Sequence, residues 1–197
     1  MNYLGHFILS YPDKDLLTGN FIADFVKGKK YRDYPEAIAR GILMHRFIDE
    51  YTDTHAVSAA CRALLRPSTG KLSGIAIDIL YDHILAKNFF TYSPLSLPEF
   101  SASCYSILDT QIKFMNSSSA SVFHYMKRNN WIAGYVNESG VRTTLKNMSR
   151  RLSFENNLEE AMSVYLHHQS FFDAQFSVFF KGLKDELSAR QFEVLLD

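Results

Sequence analysis

Between its prolines this chain repeats apolar residues at intervals of three and four, and it shows no convincing run of strict alternation bounded by hairpin turns. Ile75, Ile79 and Ile84-Leu85 carry the spacing, as do Phe172, Phe176, Phe179-Phe180 and Leu183. A helix with 3.6 residues per turn gathers such positions on one face, so the pattern predicts an all-α, multi-helix bundle. The five prolines, Pro12, Pro35, Pro67, Pro94 and Pro98, fall where one helix can hand over to the next, and Gly28 and Gly70 read as helix stops. Ser96-Leu97-Pro98-Glu99 places a capping residue three positions before a glutamate, and Asn156-Asn157-Leu158-Glu159 repeats that logic. The spacing predicts helices near 2–10, 14–27, 36–53, 56–65, 73–91, 98–115, 120–130, 139–152 and 157–181, then a final short one. The stretch NSSSAS, from Asn116 to Ser121, reads as a loop at a helix start. No linker or internal repeat divides the chain, so residues 1–197 read as one helical domain.

Composition narrows the class further. With 47% hydrophobic and 14% aromatic residues the chain can fill a large core, which excludes disorder as the dominant state. Lys+Arg and Asp+Glu both total 21, so no global charge draws nucleic acid or an anionic membrane, and an electrostatic partner must be met by a local patch. Cys61 and Cys104 have neither metal-type nor redox-type spacing. The opening MNYLGHFILSYPD lacks the basic start and long apolar run of a signal peptide, and no stretch reaches the roughly 18 apolar residues of a spanning helix. The expected location is the cytoplasm.

Polar residues inside the apolar helices carry the chemistry. In GILMHRFIDEYTD, His45, Asp49 and Asp53 stand four apart and form one column on a helix. Asp78 and Asp82 form a second, with His83 beside Asp82, and Asn20 and Asp24 form a third; His6 adds an imidazole near the start. Desolvating a lone carboxylate costs several kcal/mol, so inward aspartates need partners. Either the columns satisfy one another as a structural ion-pair network, or they share a divalent cation. Asp and His donors without cysteine suit Mn²⁺ or Mg²⁺ ahead of Zn²⁺ or Fe²⁺. There is no Glu-x-x-His, no His-Glu-x-x-His, no Gly-rich phosphate loop and no Gly-x-Ser-x-Gly elbow. Arg46 projects about a quarter-turn from His45, while Arg142, Lys146 and Arg150, with Arg151 adjacent, make a cationic stripe. Such a stripe is either a solvated face or a surface for an acidic partner.

The segments MNYLGH, GNFIADFVKG, GILMHRFIDEYTD and DILYDHILA together resemble the bacterial acyl-carrier-protein phosphodiesterase family, clearly from Met1 to about Phe90 and more loosely through Trp131 and Arg150-Arg151. The resemblance implies a cytoplasmic hydrolase that cleaves the phosphodiester of holo-acyl carrier protein, leaving apo-carrier protein and 4′-phosphopantetheine. It also implies dependence on a divalent metal, Mn²⁺ foremost, and a distant kinship with HD phosphohydrolases. That superfamily is named for a His-Asp dipeptide, whereas this chain carries the reverse order, Asp82-His83. By motif position the resemblance carries over Asp24, His45, Asp49, Asp78, Asp82 and His83, with Arg46 as a phosphate contact.

The resulting expectation has His45, Asp82 and His83, with Asp24 or Asp78, holding the metal, and Arg46 gripping a phosphate oxygen. Asp49 either binds metal or orients the attacking water, and His6 orients a ligand through a hydrogen bond. The Arg142, Lys146, Arg150 and Arg151 stripe is the expected docking surface for an acidic carrier protein. Two other readings compete: a metal phosphohydrolase of another small phosphoester or nucleotide, and a non-catalytic helical binding protein in which the columns are structural.

Overall fold

The computed structural model describes residues 1–190. Its α-helices in chain order are α1 (Tyr3–Ser10), α2 (Lys14–Ile22), α3 (Glu36–Thr54), α4 (Ala56–Thr69), α5 (Ser73–Lys87), α6 (Leu97–Asp109), α7 (Ser117–Arg128), α8 (Trp131–Gly134), α9 (Glu138–Ser149), α10 (Ala161–His167) and α11 (Gln169–Arg190). No strand occurs among the described residues, and the all-α expectation holds. None of these helices is long and apolar enough to cross a membrane.

Apolar spacing becomes a core as the periodicity requires. On α11, Phe172, Phe176, Phe179, Phe180 and Leu183 are all buried. Phe176 and Phe179 meet Tyr81 of α5 at centroid distances of 5.2 and 4.8 Å. Each such fully buried ring contributes about 2–3 kcal/mol of apolar burial, far more than the local propensity of any single residue.

Several boundaries differ from the spacing. Ser96 and Glu99 form the reciprocal capping box that starts α6. At the second candidate cap, Asn157 makes no side-chain bond; Asn156 Oδ1 instead accepts from the Leu158 amide. NSSSAS is not a loop: Asn116 accepts from the Ser119 amide, and α7 begins at Ser117. Pro67 lies inside α4, in its last turn, where it has no N–H to give the Ala63 carbonyl, and the helix ends two residues later at Thr69. The predicted 157–181 helix breaks at His168, and α11 then runs unbroken to Arg190. The final short helix is absorbed into α11 as far as Arg190, and any part of it in 191–197 lies outside the described residues.

One crossing positions everything that follows. α2 and α3 meet backbone to backbone at Gly19 and Gly41, where a Cβ on Gly19 would fall 2.0 Å from the Ile38 carbonyl and one on Gly41 would fall 2.4 Å from that of Leu16. Any side chain there would separate the helices. The contact brings Asn20 and the 3₁₀ turn Ala23–Phe25 against His45 and Asp49 on α3.

Candidate active site

A cleft of about 270 Å³ opens between the N-terminal residues and α1, the 3₁₀ turn Ala23–Phe25, α3, α5 and α9. Its lining includes Met1, Tyr3, His6, Asp24, His45, Asp49, Asp53, Asp78 and Met148. The rings of His6 and His45 stack at a centroid distance of 4.1 Å. His6 Nε2 lies 3.1 Å from Asp49 Oδ1 and 3.0 Å from the Met1 carbonyl. His45 Nε2 lies 3.0 Å from Asp49 Oδ2 and 3.3 Å from Asp24 Oδ1. On their far sides both rings meet one atom, Asn20 Oδ1, at 2.8 Å from His6 Nδ1 and 3.0 Å from His45 Nδ1.

The two histidines differ electrically although they touch. Burial drives His6 down to about 4, and the neighbouring His45 adds to this against the pull of Asp49. Burial also works against a charge on His45, but Asp24 and Asp49 together overcome it and raise the ring to about 9. Burial would raise Asp49, yet the hydrogen bonds with His45 and His6 hold its carboxyl well below the usual carboxylate range. His45 likewise lowers Asp24. Both carboxylates therefore stay ionised at neutral pH.

The residues expected from sequence divide into two groups. Asp24, His45, Asp49, Asp53 and Asp78 all line the cleft. His6 lies there too and reaches Asp49 directly, which makes it more than the orienting contact expected. Asp78 holds the Met1 ammonium at 2.9 Å; burial raises its carboxyl, and the ammonium pulls the other way.

Asp82 does not join them. It is fully buried and accepts from the amides of Asn2, Leu4 and Gly5 at 3.3, 2.8 and 3.1 Å, so its oxygens cap the start of α1. Burial pushes it up to about 7 against the Met1 ammonium and those amides. His83 also turns away, with Nδ1 at 2.7 Å from the Tyr135 carbonyl and its ring edge-on to Tyr165. Asp82 and His83 are neighbours in sequence, and on a helix that alone sends them about 100° apart.

Arg46 is likewise engaged elsewhere. Its Nη2 donates to the Val26 carbonyl at 2.8 Å and its guanidinium lies over Tyr31, so the expected phosphate grip is not what this geometry offers. In the cationic stripe, Arg142 is paired with Glu138 through both Nε and Nη2. Lys146 is exposed, Arg150 follows the last residue of α9, and Arg151 lies just beyond the helix. Met148 lines the cleft, and Arg151, three residues on, is close enough for its charge to act on the cleft-lining Tyr3 phenol.

The donor set fits a divalent ion. One ligand atom from each of His6, His45 and Asp49 lies within 4.8 Å of the others, and Asp24 adjoins them. Two imidazoles and carboxylates without thiolate match a hard or borderline cation. Nothing in this chemistry singles out one metal.

Fold and cleft thus define an all-helical protein with a His–His–Asp group able to hold a metal ion. The family model described as acyl carrier protein phosphodiesterase matches residues 1–183. The chain belongs to the acyl carrier protein phosphodiesterase family. An acyl carrier protein phosphodiesterase of Photorhabdus laumondii is 30% identical over 196 residues, covering 99% of each chain. One of an Enterobacter species is 27% identical over 97% of this chain and 100% of its own, and one of Klebsiella pneumoniae is 34% identical over 77% and 79%. No solved structure matches the chain significantly.

Proposed function

We propose that this protein hydrolyses holo-acyl carrier protein in the cytoplasm, releasing 4′-phosphopantetheine and apo-carrier protein, and that the His6–His45–Asp49 cleft is where it does so. The observation that carries the reading is the convergence of His6, His45, Asp49 and Asp24 on one cleft in a chain of this family. Water oxygen adds to phosphorus, the bond from phosphorus to the carrier serine oxygen breaks, and that oxygen leaves with a proton.

His6, His45 and Asp49, with Asp24 at the rim, would hold a divalent ion, and Mn²⁺ is our assignment. Such an ion supplies charge neutralisation for the phosphoryl oxygens and acidifies water. Asp49 serves as a ligand, since both Nε2 atoms already reach its two oxygens. Asp78 is tied to the Met1 ammonium and shapes the wall behind it. Arg151, three residues past the cleft-lining Met148, is the cation we assign to the incoming phosphodiester, in the role expected for Arg46. Lys146 and Arg150, exposed along and just past α9, extend that positive edge toward an acidic partner.

The test is incubation of purified protein with holo-carrier protein, with Mn²⁺ and with chelator, read by mass spectrometry. Loss of the prosthetic-group mass with Mn²⁺ alone is expected. Conversion that survives both chelator and His45→Ala would remove the cleft from the reaction.

A further inference from the structure

Asn20 is 1% exposed, touches no cleft volume and belongs to no motif of catalytic type. Its hydrogen bonds nevertheless determine what the cleft can bind. Ser10 Oγ donates its single proton to the His6 carbonyl at 2.8 Å, so toward Asn20 it can only accept. The His6 carbonyl is also only an acceptor. Both lie within reach of Asn20 Nδ2, at 2.6 and 3.1 Å, and that orients the amide: nitrogen toward Ser10 and His6 carbonyl, oxygen toward the two rings. Oδ1 must then accept from His6 Nδ1 and from His45 Nδ1 together.

Both rings therefore carry a proton on Nδ1, and in the neutral form both present a lone pair at Nε2. What those lone pairs face is oxygen: the Met1 carbonyl and Asp49 Oδ1 for His6, Asp24 Oδ1 and Asp49 Oδ2 for His45. Lone pairs set against oxygens repel unless something positive stands between them: a second ring proton, as on His45 without metal, or a metal ion that replaces it. With the rings stacked at 4.1 Å, a single cation can serve both.

We propose that Asn20 is a positioning residue that locks His6 and His45 into the same tautomer, so that both Nε2 atoms are directed as a pair at one divalent cation. This rests on the metal reading above. Its reach is wider than one ligand: a single amide orientation, held by Ser10 and the His6 backbone, sets two donors at once.

The first experiment needs no variant. Nitrogen-resolved NMR of the histidines in the full-length protein loaded with Zn²⁺, a diamagnetic probe, should show protons on Nδ1 of both His6 and His45. The second compares metal titrations of Asn20→Leu and Asn20→Asp with wild type. Asn20→Leu, which removes the shared acceptor, should weaken Mn²⁺ and Zn²⁺ binding by about 10- to 100-fold and lower kcat with little change in KM. Asn20→Asp keeps an acceptor toward the rings and should recover part of that affinity. An Nε2 proton on either ring of Zn²⁺-loaded wild type, or a folded Asn20→Leu with wild-type affinity, overturns the role of Asn20 and leaves the metal reading standing. Wild-type protein with no affinity for any divalent ion overturns both.

Discussion

Helices α3 and α5 carry the same kind of polar column and use it in opposite ways. On α3, His45 and Asp49 open onto the cleft and present His45 Nε2 and the Asp49 oxygens to one another, to His6 and to a ligand. On α5, Asp82 is consumed by three amides of the α1 start, and His83 by the Tyr135 carbonyl. Spacing of four puts residues on one face of a helix, but the partner presented to that face decides whether a carboxylate becomes a ligand or a cap. Where the neighbour is a helix start with unpaired N–H groups, the carboxylate becomes structural. Where it is a second imidazole, it becomes chemical.

That contrast can be broken experimentally. The largest effect belongs to the α3 column: Asp49→Ala should lower turnover of holo-carrier protein by about a thousandfold, ~4 kcal/mol of barrier, while the protein still folds, with a melting temperature lowered only by the several degrees that its pairing with His45 supplies. Steady-state kinetics beside calorimetry checks this, and an active Asp49→Ala enzyme would contradict the site. Asp82→Ala should do the reverse. It strands the buried amide donors of Leu4 and Gly5, each costing about 1–3 kcal/mol, and the part-buried one of Asn2, so stability should fall by at least ~2 kcal/mol while the folded fraction keeps its metal affinity. Denaturant titration reads the first and metal titration the second.

A pH series sharpens the difference between the two histidines. His45 is raised to about 9 from an ordinary 6.5, so its protonated form is favoured by folding. That stabilisation is complete below about pH 6.5 and is lost as pH rises through about 9. The metal-free protein should therefore lose about 5 °C of melting temperature between pH 7 and 10, and His45→Gln should flatten that slope. The apparent metal affinity should rise over the same window, because the ion displaces the His45 proton. A metal-free melting curve that rises toward pH 10 would contradict the assignment.

The smallest effect is expected on α9. Arg142→Glu with Lys146→Glu should raise KM for carrier protein by about threefold and leave metal content alone, because rim charges act mainly on encounter and Arg142 already pairs with Glu138. Kinetics at low salt with metal analysis measures both. A KM unchanged at low salt would remove α9 from docking.

Much of this protein was legible before any fold was known. Apolar residues at intervals of three and four set the helices, since a helix without a buried stripe has no reason to persist in water. Ser96 and Glu99 marked the start of α6 because a capping box is satisfied within four residues. His45, Asp49 and Asp24 were identifiable as polar groups in apolar surroundings, and the family resemblance extended that reading to the reaction. Other features were out of reach. Whether Asp82 binds a cation or three amides depends on α1, 77 to 80 residues away in the chain. Arg46 and His45 are adjacent in sequence, yet one meets the Val26 carbonyl and the other the cleft. The pairing of His6 with His45, and the single Asn20 oxygen behind both, exist only because Gly19 and Gly41 let two backbones touch. Periodicity is a property of one segment and can be read from it; the identity of the group across the interface depends on helix crossings, and those are set by the whole packed core.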